Sequence, residues 1–290
     1  MGPRFWSAPG SIAAAIAEMP QPKPPRPLAA PVPELDVLQL LLLIFAGFAA
    51  GWVDAVVGGG GLIQLPALLL SGISTQQALA TNKLASIMGT SVSAVTFYRR
   101  VQPDLTTAGP AALAALAGAF GGAALTDYIP DAALRPIIVV VMIAVLVMVL
   151  NRPQLGAHTN LKWEGNRHRW IAAAVGLVIG AYDGLLGPGT GTFLVLALVS
   201  VLGYAFLPAS ALAKIINFAT NLGALIFFIP NGAVLWGLGL VVGTANLIGA
   251  YIGARMAVAR GSGFVRVVLV VVVSVLVVRL SWEVVAGWLK

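Results

Sequence analysis

The sequence predicts an all-α membrane protein that crosses the bilayer several times and is built from two inverted repeats. Three observations predict this fold: an apolar composition, a series of long hydrophobic segments, and a set of motifs that occurs in both halves. Of the 290 residues, 59% are apolar and 9% are charged, with a mean hydropathy of +0.95. Soluble chains carry roughly 25% charged residues, so this composition excludes an ordinary soluble protein and favours a polytopic helical membrane protein.

The few charged residues also exclude several functions. The net charge of +7 comes from 17 basic and 10 acidic residues, and the basic ones lie in short loops between hydrophobic segments. That distribution is typical of a topology signal, so we expect no nucleic-acid partner. The chain has no cysteine, and its two histidines, His158 and His168, share one polar loop. We therefore expect no metal site, no cofactor and no catalytic residues, and hence no enzyme.

The chain begins with a proline-rich tail at residues 1–36, which includes the run Pro20-Gln21-Pro22-Lys23-Pro24-Pro25-Arg26-Pro27. Proline at this density disfavours helix and favours an extended, solvated chain. We therefore predict that the tail is disordered. The membrane part starts after it.

Two groups of hydrophobic segments follow, the first repeat at 37–150 and the second at 170–290, with a polar cytoplasmic loop at 151–169 between them. A membrane span needs roughly 20 apolar residues, so one short segment in each half, 61–71 and 190–203, cannot cross unaided. Each directly follows a glycine-rich break, which predicts a broken helix and a half-helix that either spans or folds back. The total is about 8 to 10 membrane segments, predicted at 37–57, 61–71, 76–98, 106–127, 132–150, 170–187, 190–203, 208–229, 233–256 and 264–288.

The two halves carry the same motifs in the same order. The block Gly51-Trp52-Val53-Asp54-Ala55-Val56-Val57-Gly58-Gly59-Gly60 matches Gly180-Ala181-Tyr182-Asp183-Gly184-Leu185-Leu186-Gly187-Pro188-Gly189 at an offset of 129. Lys83 then matches Lys214 at an offset of 131. These matches indicate a duplicated unit of about 115 residues, and repeats with interrupted segments at equivalent positions are typical of secondary transporters.

The basic loops predict how the repeats lie in the membrane. Arg99-Arg100, the loop at 151–169 and the arginines at 255–266 should be cytoplasmic. In the first half the basic residues lie in the first loop that joins two long segments, whereas in the second half they lie in the second such loop. An inverted repeat requires this alternation. Both termini are then expected outside the cytoplasm.

Four charged residues interrupt the hydrophobic segments: Asp54, Lys83, Asp183 and Lys214. Each costs at least about 2.5–3.5 kcal/mol at membrane depth and therefore needs a partner or a cavity. They form two pairs related by the repeat. Such pairs predict either a binding site or fixed salt bridges that hold the fold.

Polar residues accompany both lysines along their helices. Asn82 and Thr90 lie near Lys83, whereas Asn217 and Asn221 follow Lys214 at helical spacing. The polar strips favour a cavity lined by donors. The alternative is helix packing through polar side chains, which is common in membranes.

The glycine breaks suggest where an anion would bind. A helix that begins after a break exposes backbone N–H groups with a partial positive charge, and glycine permits close approach. The residues that begin the half-helices are therefore candidate ligands for an anion, the alternative being a tight turn for close helix packing. These residues are Gly59, Gly60 and Gly61 in the first half and Gly189, Thr190 and Gly191 in the second.

The combined motifs resemble those of the sulfite exporter TauE/SafE family of membrane permeases. The resemblance rests on Gly51-x-x-Asp54, Val57-Gly58-Gly59-Gly60-Gly61-Leu62, Pro66, Ala80-Thr81-Asn82-Lys83-Leu84-Ala85-Ser86 and Gly89-Thr90, and on the second block from Gly180 to Gly191 with Lys214 and Asn217. It covers about residues 37–288. The second block departs from the first because it has Pro188 and lacks Thr-Asn before its lysine. The resemblance implies transport of sulfur-containing anions such as sulfite and sulfonates across the cell membrane, the inner membrane of a bacterium.

The sequence therefore predicts a secondary transporter for a small anion that works by alternating access in the lipid bilayer. The lysines would supply charge, the asparagines and Thr90 donors, and the glycine turns backbone N–H groups. Asp54 and Asp183 would either position the lysines or carry a coupled proton. A membrane scaffold or assembly protein and an ion channel are the alternatives, and a homodimer is compatible with the sequence.

Overall fold

The structure is a computed structural model that describes residues 35–126 and 158–288. Within these two ranges all regular secondary structure is helical. Almost all of the predicted tail, and the predicted segment 132–150, lie outside the described residues.

The described part of the first half contains four helices: α1, α2, α3 and α4, at Val37–Val57, Gly61–Leu70, Thr75–Val101 and Leu105–Ala124. The second half contains α5, α6, α7 and α8, at Gly165–Leu185, Thr190–Ala197, Phe206–Phe228 and Trp236–Trp288, with a π-helical turn at Leu198–Leu202 after α6. Four of these helices are long and apolar enough to cross a bilayer: α1, α4, α7 and the part of α8 at Trp236–Val272. The predicted all-α membrane fold is confirmed.

Two helix boundaries differ from the prediction for identifiable reasons. Helix α5 begins at Gly165, inside the predicted polar loop, because its first turn is amphipathic and buries His168 against Tyr204. The break predicted between 256 and 264 is present but shorter, because α8 is helical on both sides of Gly261, whose φ of 74° and ψ of −169° break the helix. Hydropathy alone reports neither an amphipathic first turn nor the exact length of a break.

Side-chain caps set the first turns of three helices. Asp36 and Ser74 each form a capping box with the glutamine three residues later, which satisfies backbone N–H groups that have no partner in the helix. At the start of α4, the Asp104 carboxylate accepts from the Thr106 backbone N–H at 2.9 Å. Slight burial opposes ionisation of Asp104, but hydrogen bonds from Thr107 and Thr106 outweigh it and hold the pKa of Asp104 below its usual value.

Each short helix folds back beside the helix that precedes it. The chain after α6 returns to the loop before α5, where Asn160 N donates to Gly203 O at 2.8 Å and Lys162 N donates to Leu202 O at 3.1 Å. In the first half, Leu68 near the end of α2 packs in one cluster with Leu43 near the start of α1. Both half-helices are therefore arms of hairpins whose tips are the glycine breaks.

The packing of the helices is repeated between the halves. Helix α1 packs on α8 and α5 packs on α4, while α3 packs on α8 and α7 packs on α4. The sequence repeat equates α1 with α5, α3 with α7, and α4 with the first part of α8. Each of these contacts therefore has its counterpart in the other half, and α3 and α7 pack on each other between them.

Glycines permit the closest of these helix contacts. A Cβ on Gly51 of α1 would overlap the backbone of Asn246 in α8, and a Cβ on Gly180 of α5 would overlap the backbone of Ala115 in α4. These two contacts are equivalent under the repeat. Small residues allow membrane helices to pack with a short distance between their axes. The same equivalence holds for Gly249 on Phe48 and Gly118 on Leu177, and for Gly47 on Val242 and Gly176 on Ala111.

We expect Gly118→Val to destabilise the protein and Gly121→Val to leave its stability unchanged. Both glycines lie in α4, but a Cβ on Gly118 would overlap the Leu177 carbonyl, whereas a Cβ on Gly121 meets nothing within 4 Å. Overpacking costs about 1–3 kcal/mol, so the thermal midpoint of Gly118→Val in detergent should fall by several degrees. Equal midpoints for the two variants would contradict the close α4–α5 contact.

Candidate functional site

The tips of the two hairpins meet in the interior. Thr192, in the first turn of α6, donates its backbone N–H to Gly58 O at 3.0 Å and its hydroxyl to Val57 O at 3.1 Å. Gly58 has a left-handed φ of 89°, and a Cβ on either Gly58 or Gly191 would overlap the backbone of the other. The break of the first half therefore packs directly on the break of the second.

The buried lysines pair with aspartates of the opposite half. Lys83 on α3 lies 2.6 Å from the Oδ1 atom of Asp183 on α5, and both side chains are buried. Lys214 on α7 donates to the backbone carbonyl of Asp54 on α1 and lies 3.3 Å from its Oδ2 atom. The pairing is crossed, so each ion pair links a central helix of one half to the hairpin of the other.

The two pairs are not equivalent in their surroundings. The Thr190 hydroxyl donates to the same Asp183 oxygen that pairs with Lys83, at 2.6 Å. The other oxygen of Asp183 is buried and has no hydrogen-bond partner among the described residues. The Asp54 side chain is 15% exposed, against 2% for Asp183. The Lys83 pair is thus the more enclosed one, and Asp54 is the more accessible carboxylate.

A small polar cavity lies between the hairpin tips and the two central helices, α3 and α7. It has room for about one water molecule. Ionic groups, amides, hydroxyls and glycine backbone converge on it from both halves. Among the predicted site residues, the cavity is lined by Asp54, Gly61, Asn82, Lys83, Asp183, Thr190, Gly191, Asn217 and Asn221, and Gly58, Ser86 and Gly187 line it as well.

Five predicted residues lie outside the lining: Lys214, Thr90, Gly59, Gly60 and Gly189. Lys214 contacts the lining residue Asp54. The Thr90 hydroxyl donates to the Ser86 carbonyl at 2.9 Å within its own helix. The three glycines shape the turns at the hairpin tips, where Gly189 has a φ of 81°.

Two asparagines of α7 reach the cavity side by side. Asn221 donates its amide to the Asn217 backbone carbonyl at 2.8 Å, and the Thr220 hydroxyl donates to the same carbonyl at 2.9 Å. These bonds lie within one helix and hold the polar strip predicted from the spacing of α7. Asn217 thus lines the cavity about one helical turn after Lys214.

A buried amide network behind the cavity is absent from the sequence prediction. Asn246 donates to Gln64 at 2.7 Å, and Gln64 donates to the Asn82 side chain at 3.0 Å. All three side chains are buried, so the network fixes the orientation of Asn82. In the sequence, Gln64 and Asn246 could be noticed only as single amide residues within apolar segments. The repeat comparison misses Asn246 because its counterpart is Ala115.

The cavity walls combine hydrogen-bond donors with two carboxylates and one ammonium group. No group of three or more acidic, histidine or cysteine side chains in the described ranges could hold a metal. Gly61 and Gly191 lie in the first turns of α2 and α6, where backbone N–H groups lack partners within the helix. Together with the asparagine amides they supply hydrogen-bond donors, while the charge of Lys83 is compensated by Asp183.

We expect Asp183→Leu to destabilise the protein strongly and Lys83→Met/Asp183→Leu to recover most of that loss. Removing one partner leaves a buried charge without compensation, at about 3–5 kcal/mol, whereas replacing both partners with apolar residues is often neutral. Thermal melting of both variants in detergent measures the difference. If the double variant melts no higher than Asp183→Leu, the crossed pair is contradicted.

The chain is similar to a family of membrane transporters along most of its length. The family model described as sulfite exporter TauE/SafE matches residues 43–280. "Probable membrane transporter protein ORF9" of Sinorhizobium sp is 37% identical over 83% of this chain and 92% of that protein. "Probable membrane transporter protein YfcA" of Escherichia coli K12 is 34% identical over 85% of this chain and 91% of that protein. No solved structure matches. The chain belongs to the sulfite exporter TauE/SafE family and is a membrane transporter.

Proposed function

We propose that the protein is a secondary transporter of a small sulfur-containing anion, sulfite or a sulfonate, in the inner membrane of a bacterium. One observation carries the proposal: two lysines converge on two glycine breaks in the interior, with polar side chains from both halves around them. The substrate class follows from the description of the family.

The cavity residues explain how an oxyanion would be held. Sulfite and sulfonates spread their charge over several oxygens, and each oxygen accepts hydrogen bonds. Lys83 supplies the positive charge, Asn82 and Asn217 supply amide donors, and Gly191 places a first-turn N–H of α6 at the cavity wall. The hydroxyl of Thr190 donates to Asp183 and so holds the carboxylate that faces Lys83.

Transport requires the cavity to open, because its present size admits roughly one water molecule. We propose alternating access by rocking of two inverted repeats. Three findings support this proposal: the hairpin tips touch, the ion pairs cross between halves, and the helix contacts are repeated. Separation of the tips on one side at a time would expose the cavity alternately.

The relative direction of the hairpins supports an inverted arrangement. Helices α4 and α5 run in the same direction, because Ala111 lies at Gly176 and Ala115 lies at Gly180. The open end of the α5–α6 hairpin therefore lies near the C-terminal end of α3. The open end of the α1–α2 hairpin lies near the N-terminal end of α3, because α2 ends at Leu70 and α3 begins at Thr75. The two hairpins therefore enter the helix bundle from opposite ends of α3.

The crossed ion pairs suggest proton coupling. Asp54 and Asp183 both line the cavity, so an anion bound there lies beside two carboxylates. Like charges at such short range favour protonation of one carboxylate. Asp54, the more exposed of the two, is the proposed proton carrier, and the proton gradient is the proposed driving force.

We expect Thr190→Val to lower labelled sulfite uptake into proteoliposomes about tenfold, and Thr90→Val to leave it unchanged. The substitutions are isosteric, but only Thr190 lines the cavity and donates to Asp183. The two variants are compared at equal protein content, with taurine, sulfoacetate and thiosulfate as further substrates. Equal uptake by the two variants would contradict the site, and uptake that does not saturate would indicate a channel.

We expect Asp54→Asn to abolish the acceleration of uptake by an imposed pH gradient while substrate exchange continues. Asn keeps the size of the side chain but cannot carry the proton. Asp104→Asn is the matched control, since Asp104 caps α4 away from the cavity. A gradient response that survives in Asp54→Asn would refute the assignment of Asp54 as the carrier.

A further inference from the structure

A groove of about 430 Å³ runs between α3 and α8 at the surface of the helices. One end is basic, with Arg99 and Arg100 in the last turn of α3 and Arg255 on α8. The floor farther along α3 is apolar and includes Val92 and Val95. The groove shares no lining residue with the central cavity, so it is a separate feature of the molecule.

The apolar part of the groove is exposed at the surface of the helices. Val95 on α3 is 49% exposed, and Tyr251, in the part of α8 that is long and apolar enough to span, is 44% exposed. From Val92 to Arg100 the groove follows α3 for about 12 Å, given a rise of about 1.5 Å per residue. It therefore leads from exposed apolar side chains to a basic end.

The guanidinium of Arg255 is held but retains free donors. It donates to the Tyr251 hydroxyl at 2.9 Å and lies 5.4 Å from the centre of the Tyr251 ring. No acidic side chain among the described residues forms a salt bridge with Arg99, Arg100 or Arg255. Three guanidinium groups with no acidic partner in the described ranges thus lie at one end of the groove.

The equivalent groove in the other half is different. At the offset of 131, Arg255 corresponds to Ala124 and Arg99 to a proline. Phe120 and Phe227 occupy that region, with ring centres 6.1 Å apart in an edge-to-face contact. The repeated fold therefore does not require the basic groove, because the corresponding positions of the other half close the space with aromatic rings.

We propose that the α3–α8 groove binds an anionic phospholipid, with the phosphate between Arg99 and Arg255 and one acyl chain along Val92 and Val95. Guanidinium groups match phosphate oxygens in pairs, and basic pockets between membrane helices on the cytoplasmic side bind anionic head groups. A soluble phosphate would use the arginines but leave the apolar floor uncovered. The lipid would join α3, which carries Lys83, to α8.

The experiment uses the full chain purified in a neutral detergent. Thermal midpoints and native mass spectra are recorded with added phosphatidylglycerol, phosphatidylcholine, glycerol 3-phosphate or inorganic phosphate. We expect phosphatidylglycerol alone to raise the midpoint of the natural protein by several degrees, because a ligand that binds the folded state stabilises it. Mass spectra should show bound phosphatidylglycerol.

The groove variant Arg99→Gln/Arg255→Gln should lose at least half of that shift and most of the bound lipid. The matched control Arg169→Gln/Arg260→Gln removes two exposed arginines that do not line the groove and should keep both. Three results would overturn the proposal: an undiminished shift in the groove variant, an equal loss in the control, or a shift with phosphate or glycerol 3-phosphate alone. Mass spectra decide the question even if the groove variant melts lower without lipid.

Discussion

Two ammonium groups lie in the interior of a chain with few charges, and each needs a negative partner close by. Lys83 and Lys214 find theirs in Asp183 and Asp54, which lie beside the glycine breaks of the opposite half. Because the partners cross, neither half neutralises its own lysine. The need to compensate these charges at membrane depth therefore ties the central helices of one half to the hairpin of the other and places both hairpin tips against each other.

The same constraint explains the character of the central cavity. Hairpin tips that touch through glycine leave little space between the halves, so the cavity is small and its walls are mostly polar. An anion in the cavity would compete with Asp183 for Lys83. In the proposed mechanism this competition would link substrate binding to separation of the halves and to protonation of a carboxylate.

The two halves share their helix contacts but differ in the side chains around the ion pairs and in the surface groove. Glycine contacts between α1 and α8 are reproduced between α4 and α5, because close packing of helices demands small residues at matched positions. The two ion pairs differ in their surroundings. Among the described residues, neither the Gln64–Asn246 network nor the α3–α8 groove has a counterpart under the repeat. Features that the packing does not require thus differ between the halves.

Much of this protein follows from the sequence alone. Composition and segment length determine the all-α membrane fold, and the repeated charges and glycines single out most of the residues that line the cavity, since a charge in an apolar segment is conspicuous. Tertiary structure alone decides which aspartate pairs with which lysine, that Thr90 bonds within its own helix, that the half-helices fold back, and that Asn246 supports Asn82. These depend on contacts between residues far apart in the chain, and hydropathy and helical spacing describe only neighbours along it.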